Sequence, residues 1–220
     1  MTILKQLLQD RSSLIEEIND ERNLRRKTRD LALVSLALFF IFGSLLGISN
    51  SWQQALSSGI KLPLLFLLTL VVCIPTFFIF NSILGSRQTL LQTVAKFLCA
   101  TTFLGLILFG FAPVTLFFHL TSDHYQFYKL LNVLFFAISG MCGVNFLFSV
   151  YMGEGSDHAQ GKGSRFPLMV LWMVLYGFVG SQLSWSLRPF FGAPDLPFQI
   201  VREMSGNFFT DVVRAIHGIY

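Results

Sequence analysis

The chain has 220 residues, of which 53% are hydrophobic and only 13% charged, with a mean hydropathy of +0.62, whereas a soluble domain carries about 25% charge. The formal charge of +4 is concentrated beside apolar runs, not spread along a basic face, which argues against a nucleic-acid partner and for a lipid bilayer. Cys73, Cys99 and Cys142 all lie inside apolar runs without CxxC spacing, so neither a disulfide framework nor a zinc site is expected.

Five runs come close to the roughly 20 apolar residues that cross a bilayer: Leu31–Ile48, Ile60–Phe80, Phe97–Leu120, Leu130–Tyr151 and Phe166–Leu187. The expected fold is therefore all-α, a polytopic transmembrane bundle of five spans. It divides into a cytoplasmic amphipathic and basic segment (1–30), the membrane domain (31–187) and a Pro/Phe-rich interfacial tail (188–220). Met1–Asp20 reads as one amphipathic helix, with Leu4, Leu7, Leu8, Leu14, Ile15 and Ile18 at helical spacing. It lies on the cytoplasmic membrane face or packs beneath the bundle, or else docks a partner. Arg22, Arg25, Arg26, Lys27 and Arg29 follow as an orientation signal that also suits anionic lipid.

The first run ends in Gly47-Ile48-Ser49, which has the look of a signal cleavage site. The leader before it is long and contains acidic residues, unlike a signal n-region, so a retained span is expected. Gly43 and Gly47 form a GxxxG, which suits close helix packing within one bundle or between copies. Ser49–Gly59 reads as an interfacial connection carrying Trp52, Gln53 and Gln54. Lys61 is expected to snorkel and Pro63 to occupy a first helical turn. Pro75 and Pro113 fall inside the second and third spans and predict kinks. Lys96 is placed near a cytoplasmic helix end, within reach of headgroups.

His119, Asp123 and His124 have no clear fourth ligand, so no metal is expected. The fourth run contains Asn132, Ser139, Gly140, Gly143 and Asn145, and the fifth Gly177, Gly180, Ser181, Gln182 and Ser184. Asn132, Asn145, Gln182 and Arg188 are the candidates for an intramembrane polar cluster. The spans lack carboxylates and any nucleophile–base pair, so neither catalysis nor a cofactor is expected. In the tail, Pro189, Gly192, Pro194 and Pro197 break a Phe-rich segment. Phe208, Phe209, Val212, Val213 and Ile216 then fit a short amphipathic helix. Counting basic residues by side gives eleven against five in favour of a cytoplasmic N-terminus, with the tail opposite.

Two stretches resemble known sequences. Leu14-Ile15-Glu16-Glu17-Ile18 followed by Leu24-Arg25-Arg26-Lys27-Thr28 resembles the Wiskott-homology actin-binding motif, a short amphipathic helix followed by a leucine and basic residues. Glu21 stands where that motif has a small residue, and Lys27 lengthens its basic run. The resemblance implies a partner-binding set of Leu14, Ile15, Ile18, Leu24, Arg25 and Arg26. From Ser51 to Tyr220, and above all in LYGFVGSQLSWSLRPFFGAPDLPF, the chain resembles an uncharacterised family of small bacterial polytopic membrane proteins with an LRPFxGxP tail. That resemblance implies a bacterial cytoplasmic or internal energy-transducing membrane and no particular activity. The layout is also similar to that of the Yip family of membrane-trafficking proteins.

The leading expectation is a membrane scaffold or accessory subunit whose partner is another complex or a second copy. The alternatives are a small channel or transporter lined by the kinked second and third spans and the polar fourth and fifth, and an anchor for an actin-like filament through residues 14–28.

Overall fold

The computed structural model describes residues 3–48, 51–83, 85–121, 125–153, 162–191, 209–210 and 213, and every extended element in them is an α-helix. The expected single N-terminal helix is two: α1 (Ile3–Gln9) and α2 (Arg11–Asn19). Asp10 separates them, because its carboxylate accepts from the Ser13 backbone N–H at 3.3 Å and so caps α2. A tight turn then folds α2 back on α3 (Leu24–Gly47); Glu21 and Asn23 take φ of +58° and +53° there.

Three long helices follow: α4 (Trp52–Ile83), α5 (Leu90–Thr121) and α6 (Tyr125–Gly153). With α3 they are four helices long and apolar enough to cross a membrane. After them comes α7 (Lys162–Ser186). Both α4 and α5 begin well before their apolar runs. The connection read as Ser49–Gly59 is thus mostly helix, and Pro63 lies inside α4, not in its first turn. Both helices continue through their prolines.

The core consists of two apolar clusters, one towards each end of the bundle. The first joins the start of α3 and α5 (Leu31, Phe97), the end of α4 and α6 (Phe77, Tyr151) and the start of α7 (Trp172). Leu7, Leu14 and Ile18 belong to the same cluster, so α1 and α2 pack as part of the bundle. The second cluster takes the opposite ends: Phe42 and Leu46 of α3, Leu62 of α4, Leu108 of α5, Phe135 of α6 and Phe190 beyond α7. This alternation is that of an up-and-down bundle, in which α7 runs in the same sense as α3 and α5.

The GxxxG sets the α3–α4 contact. A Cβ on Gly47 would come within 2.3 Å of the Gln54 carbonyl oxygen, and one on Gly43 within 2.5 Å of that of Ser58. Gly59 returns the contact, since its Cβ would lie 2.3 Å from Ser44 Oγ. The small-residue groove of α3 is therefore filled by α4 of the same chain.

Candidate functional site

Three polar arrangements stand out in this apolar frame. The first is on α4, where Gln54, Ser58 and Lys61 recur at spacings of four and three and so share one helix face. All three are buried, with exposures of 1%, 0% and 7%. They hold the segment that leaves α7. After Ser186 the chain turns through a cis Arg188–Pro189 bond, and the carbonyls of Pro189 and Phe190 face α4. Gln54 Nε2 donates to Pro189 O at 2.9 Å and to Ser58 Oγ at 3.0 Å. Ser58 Oγ donates to Phe190 O at 2.6 Å, and Lys61 Nζ to Pro189 O at 3.2 Å. Carbonyls past a helix end have no intrahelical donor, and leaving one buried and unpaired costs about 1–3 kcal/mol. The clasp satisfies two of them and at the same time places the polar atoms of α4. Phe190 completes the second apolar cluster, and the Arg188 guanidinium lies over the Trp185 ring, 3.5 Å from its centre. Lys61 thus does not reach outward to snorkel, and Gln54 is buried in the protein, because a neighbouring backbone supplies their partners.

The second arrangement anchors the N-terminal arm. Lys27 Nζ of α3 and Gln6 Nε2 of α1 both donate to Glu17 Oε2 of α2, the latter at 3.0 Å, so one carboxylate oxygen ties three helices. The hydrogen bond from Lys27, and then that from Gln6, hold the Glu17 carboxyl below its ordinary value of 4.5. From α5, Gln92 Nε2 donates to Asn19 O at 2.8 Å and caps the end of α2. The same Gln92 accepts from the Thr89 N–H at 2.7 Å while Thr89 Oγ1 accepts from the Gln92 N–H at 3.3 Å, a capping box that starts α5. Lys96, expected near headgroups, has 0% exposure and lies 5.3 Å from the centre of the Tyr151 ring, because α5 begins six residues earlier and is covered by neighbours there.

The third is an open groove of about 590 Å³ between α2 and the α5–α6 pair. On its floor Phe103 and Phe146 stack at 5.2 Å, and the Arg11 guanidinium lies 4.6 Å from the centre of Phe103. Ser12, Glu16, Asn145 and Ser149 line its polar side.

The residues singled out from sequence are distributed over these features. Leu14, Ile18 and Leu24, the apolar half of the Wiskott-like motif, are buried in the first cluster. Ile15 borders the groove, and Arg25 and Arg26 are exposed, the latter 3.8 Å from Asp30. Asn132, Asn145, Gln182 and Arg188 do not come together. Asn132 is buried, accepting from Thr115 Oγ1 at 3.1 Å and donating to the Tyr128 carbonyl at 2.8 Å. Asn145 lies thirteen residues along the same helix, about 20 Å away, and faces the groove. Gln182 is half-buried near the end of α7, its backbone carbonyl accepting from Ser186 Oγ, and Arg188 stacks on Trp185. His119 is beside Tyr128, with ring centres 5.8 Å apart; Asp123 and His124 lie outside the described residues. Most of the Pro-rich tail also lies outside them, and of its expected helix Phe209, Thr210 and Val213 are helical and exposed.

Sequence reading missed the Gln54–Ser58–Lys61 face, although its spacing of four and three was visible. It also missed the Thr89–Gln92 box, which has the T-x-x-Q signature. The arrangement as a whole is that of a polytopic helical membrane protein whose polar side chains bind its own backbone. No family model, curated protein or solved structure matches the chain.

Proposed function

We propose that this chain is a non-catalytic integral membrane protein, a scaffold or accessory subunit of a bacterial cytoplasmic or internal energy-transducing membrane. It crosses five times, with the N-terminus in the cytoplasm and the tail opposite. The observation that carries the scaffold reading is the inward use of polar groups: Gln54, Ser58 and Lys61 bind the chain's own Pro189 and Phe190 carbonyls, and Asn132 binds Thr115 and Tyr128. A conducting path needs such groups turned to water or substrate. The fifth crossing is supported by the 25 residues of α7 and by its course from the first apolar cluster to the second. The orientation is supported by Arg22, Arg25, Arg26, Arg29 and Arg87, which all lie at the end of the first cluster. Membership of the LRPFxGxP family would rest on a motif whose Pro189 and Phe190 the α4 clasp holds.

Against the filament anchor stands the burial of Leu14, Ile18 and Leu24, whose release would expose the arm's whole apolar face. Affinity purification of the full chain from native membranes in mild detergent tests the reading. A stoichiometric partner is the expected result, and flux through the reconstituted protein that falls on Asn132→Leu would replace it with transport. Single-cysteine labelling at residues 2 and 218 from each side of the membrane checks the crossing number: label on opposite faces is expected.

A further inference from the structure

The groove beside α2 combines features that no internal packing role requires. Gln92, at the start of α5, grips residues Ile18 and Asn19, whereas Arg11 meets Phe103, eleven residues further along α5. α2 therefore descends along the bundle from Asn19 to Arg11. Phe103 is six residues inside the apolar run of α5, and Phe146 five residues inside that of α6, which puts the Arg11 guanidinium about 8 Å below the edge of the apolar zone. Among the described residues no carboxylate forms an ion pair with Arg11, and no cation forms one with Glu16. A guanidinium at that depth, exposed in an open groove and held over an aromatic pair, calls for an anion that the bilayer itself supplies.

We propose that the groove is a binding site for one phospholipid with an aminophosphate head, of the phosphatidylethanolamine class; this rests on the membrane reading above. Arg11, the deeper group, takes the phosphate. Glu16, one and a half turns nearer the water, takes the ammonium, and the acyl chains continue down over Phe103 and Phe146. The order from depth to surface, cation then carboxylate, matches the order of phosphate and amine in that head. A phosphoglycerol head carries the same phosphate but offers Glu16 no cation, leaving its carboxylate unpaired, so it fits less well.

The full-length protein in mild detergent, titrated with phosphatidylethanolamine or phosphatidylglycerol and read by native mass spectrometry, tests the site. Wild type is expected to bind phosphatidylethanolamine about tenfold more tightly than phosphatidylglycerol, a difference of about 1.4 kcal/mol. Arg11→Ala should weaken both lipids at least tenfold. Glu16→Gln should remove the preference while retaining phosphatidylglycerol binding, a ratio that does not depend on overall stability. Ser149→Phe, which fills the groove from α6 and leaves Arg11 in place, should abolish both. Equal binding of the two lipids by wild type, or retention of wild-type binding by Arg11→Ala or Ser149→Phe, overturns the lipid site. That outcome, in a chain whose labelling still gives a membrane-inserted bundle, leaves the scaffold reading intact. Loss of membrane insertion would instead remove the frame on which both stand.

Discussion

Replacing Gly47 by alanine probes a close backbone contact between α3 and α4. The added Cβ would meet the Gln54 carbonyl oxygen at 2.3 Å, its carbonyl carbon at 2.6 Å and the Ala55 Cα at 2.7 Å, all backbone atoms that no rotamer change can move. Ordinary contact requires about 1 Å more, so α3 and α4 must part locally by that amount, and overpacking of this kind costs about 1–3 kcal/mol. The separation also strains the clasp, because Gln54 and Ser58 are the residues directly opposite Gly47 and Gly43. Gly43→Ala, with its 2.5 Å approach to a backbone oxygen, should cost nearly as much. Gly59→Ala should cost less, because the 2.3 Å neighbour is the Ser44 hydroxyl, which can rotate away. Gly140→Ala meets nothing within 4 Å and should be neutral or stabilising by up to about 1 kcal/mol through helix propensity. Thermal unfolding of the four variants in one detergent, with size-exclusion light scattering, measures the series. A Gly47→Ala protein as stable as wild type but altered in oligomeric state would refute the reasoning, since it would mean that the GxxxG serves contacts between copies.

Further expectations follow from the three polar contacts. Gln54→Leu removes one donor from the Pro189 and Phe190 carbonyls while Lys61 and Ser58 still reach them, at about 1 kcal/mol. Chymotrypsin cleavage at Phe190 or Phe191 should rise about tenfold per 1.4 kcal/mol of local opening, and unchanged cleavage would count against the clasp. Because the Glu17 carboxyl titrates below its ordinary 4.5 in the folded chain, its contribution is complete above that value and is lost as pH falls through the folded value. Glu17→Gln should therefore flatten the fall in melting temperature between about pH 5 and pH 3, and should cost about 1 kcal/mol at neutral pH. For the buried Thr115–Asn132 pair, a double-mutant cycle of Thr115→Val and Asn132→Leu should return a coupling of about 0.6 kcal/mol; zero coupling would remove the pair.

Several local assignments were legible because one element decides them. Pro75 and Pro113 lie inside helices, as their apolar surroundings require, and the GxxxG packs helices closely, because four-residue spacing puts both glycines on one face. Asp10 was overlooked as a break, since an amphipathic pattern continues across it; the side-chain cap at Ser13 competes successfully with an uninterrupted helix. Lys61 and Lys96 were misplaced for one reason. A basic residue near the end of an apolar run can reach water only if the helix ends there, and both helices extend further under cover of their neighbours. The intramembrane cluster failed likewise, because polarity on a helix gives the residue's face but not the height at which another helix presents a partner.

Hydropathy and periodicity alone determined helices of membrane length, the extended elements of the described residues, because crossing a bilayer constrains every residue of a segment at once. They also determined the basic N-terminal end. Only the tertiary structure decided what the exceptions do. It turned α1 and α2 into part of the bundle, filled the groove of α3 with α4, and set three polar residues of α4 against two carbonyls more than 120 residues away in the chain. A buried donor needs an acceptor wherever one is within reach, and distance along the chain carries no information about that reach.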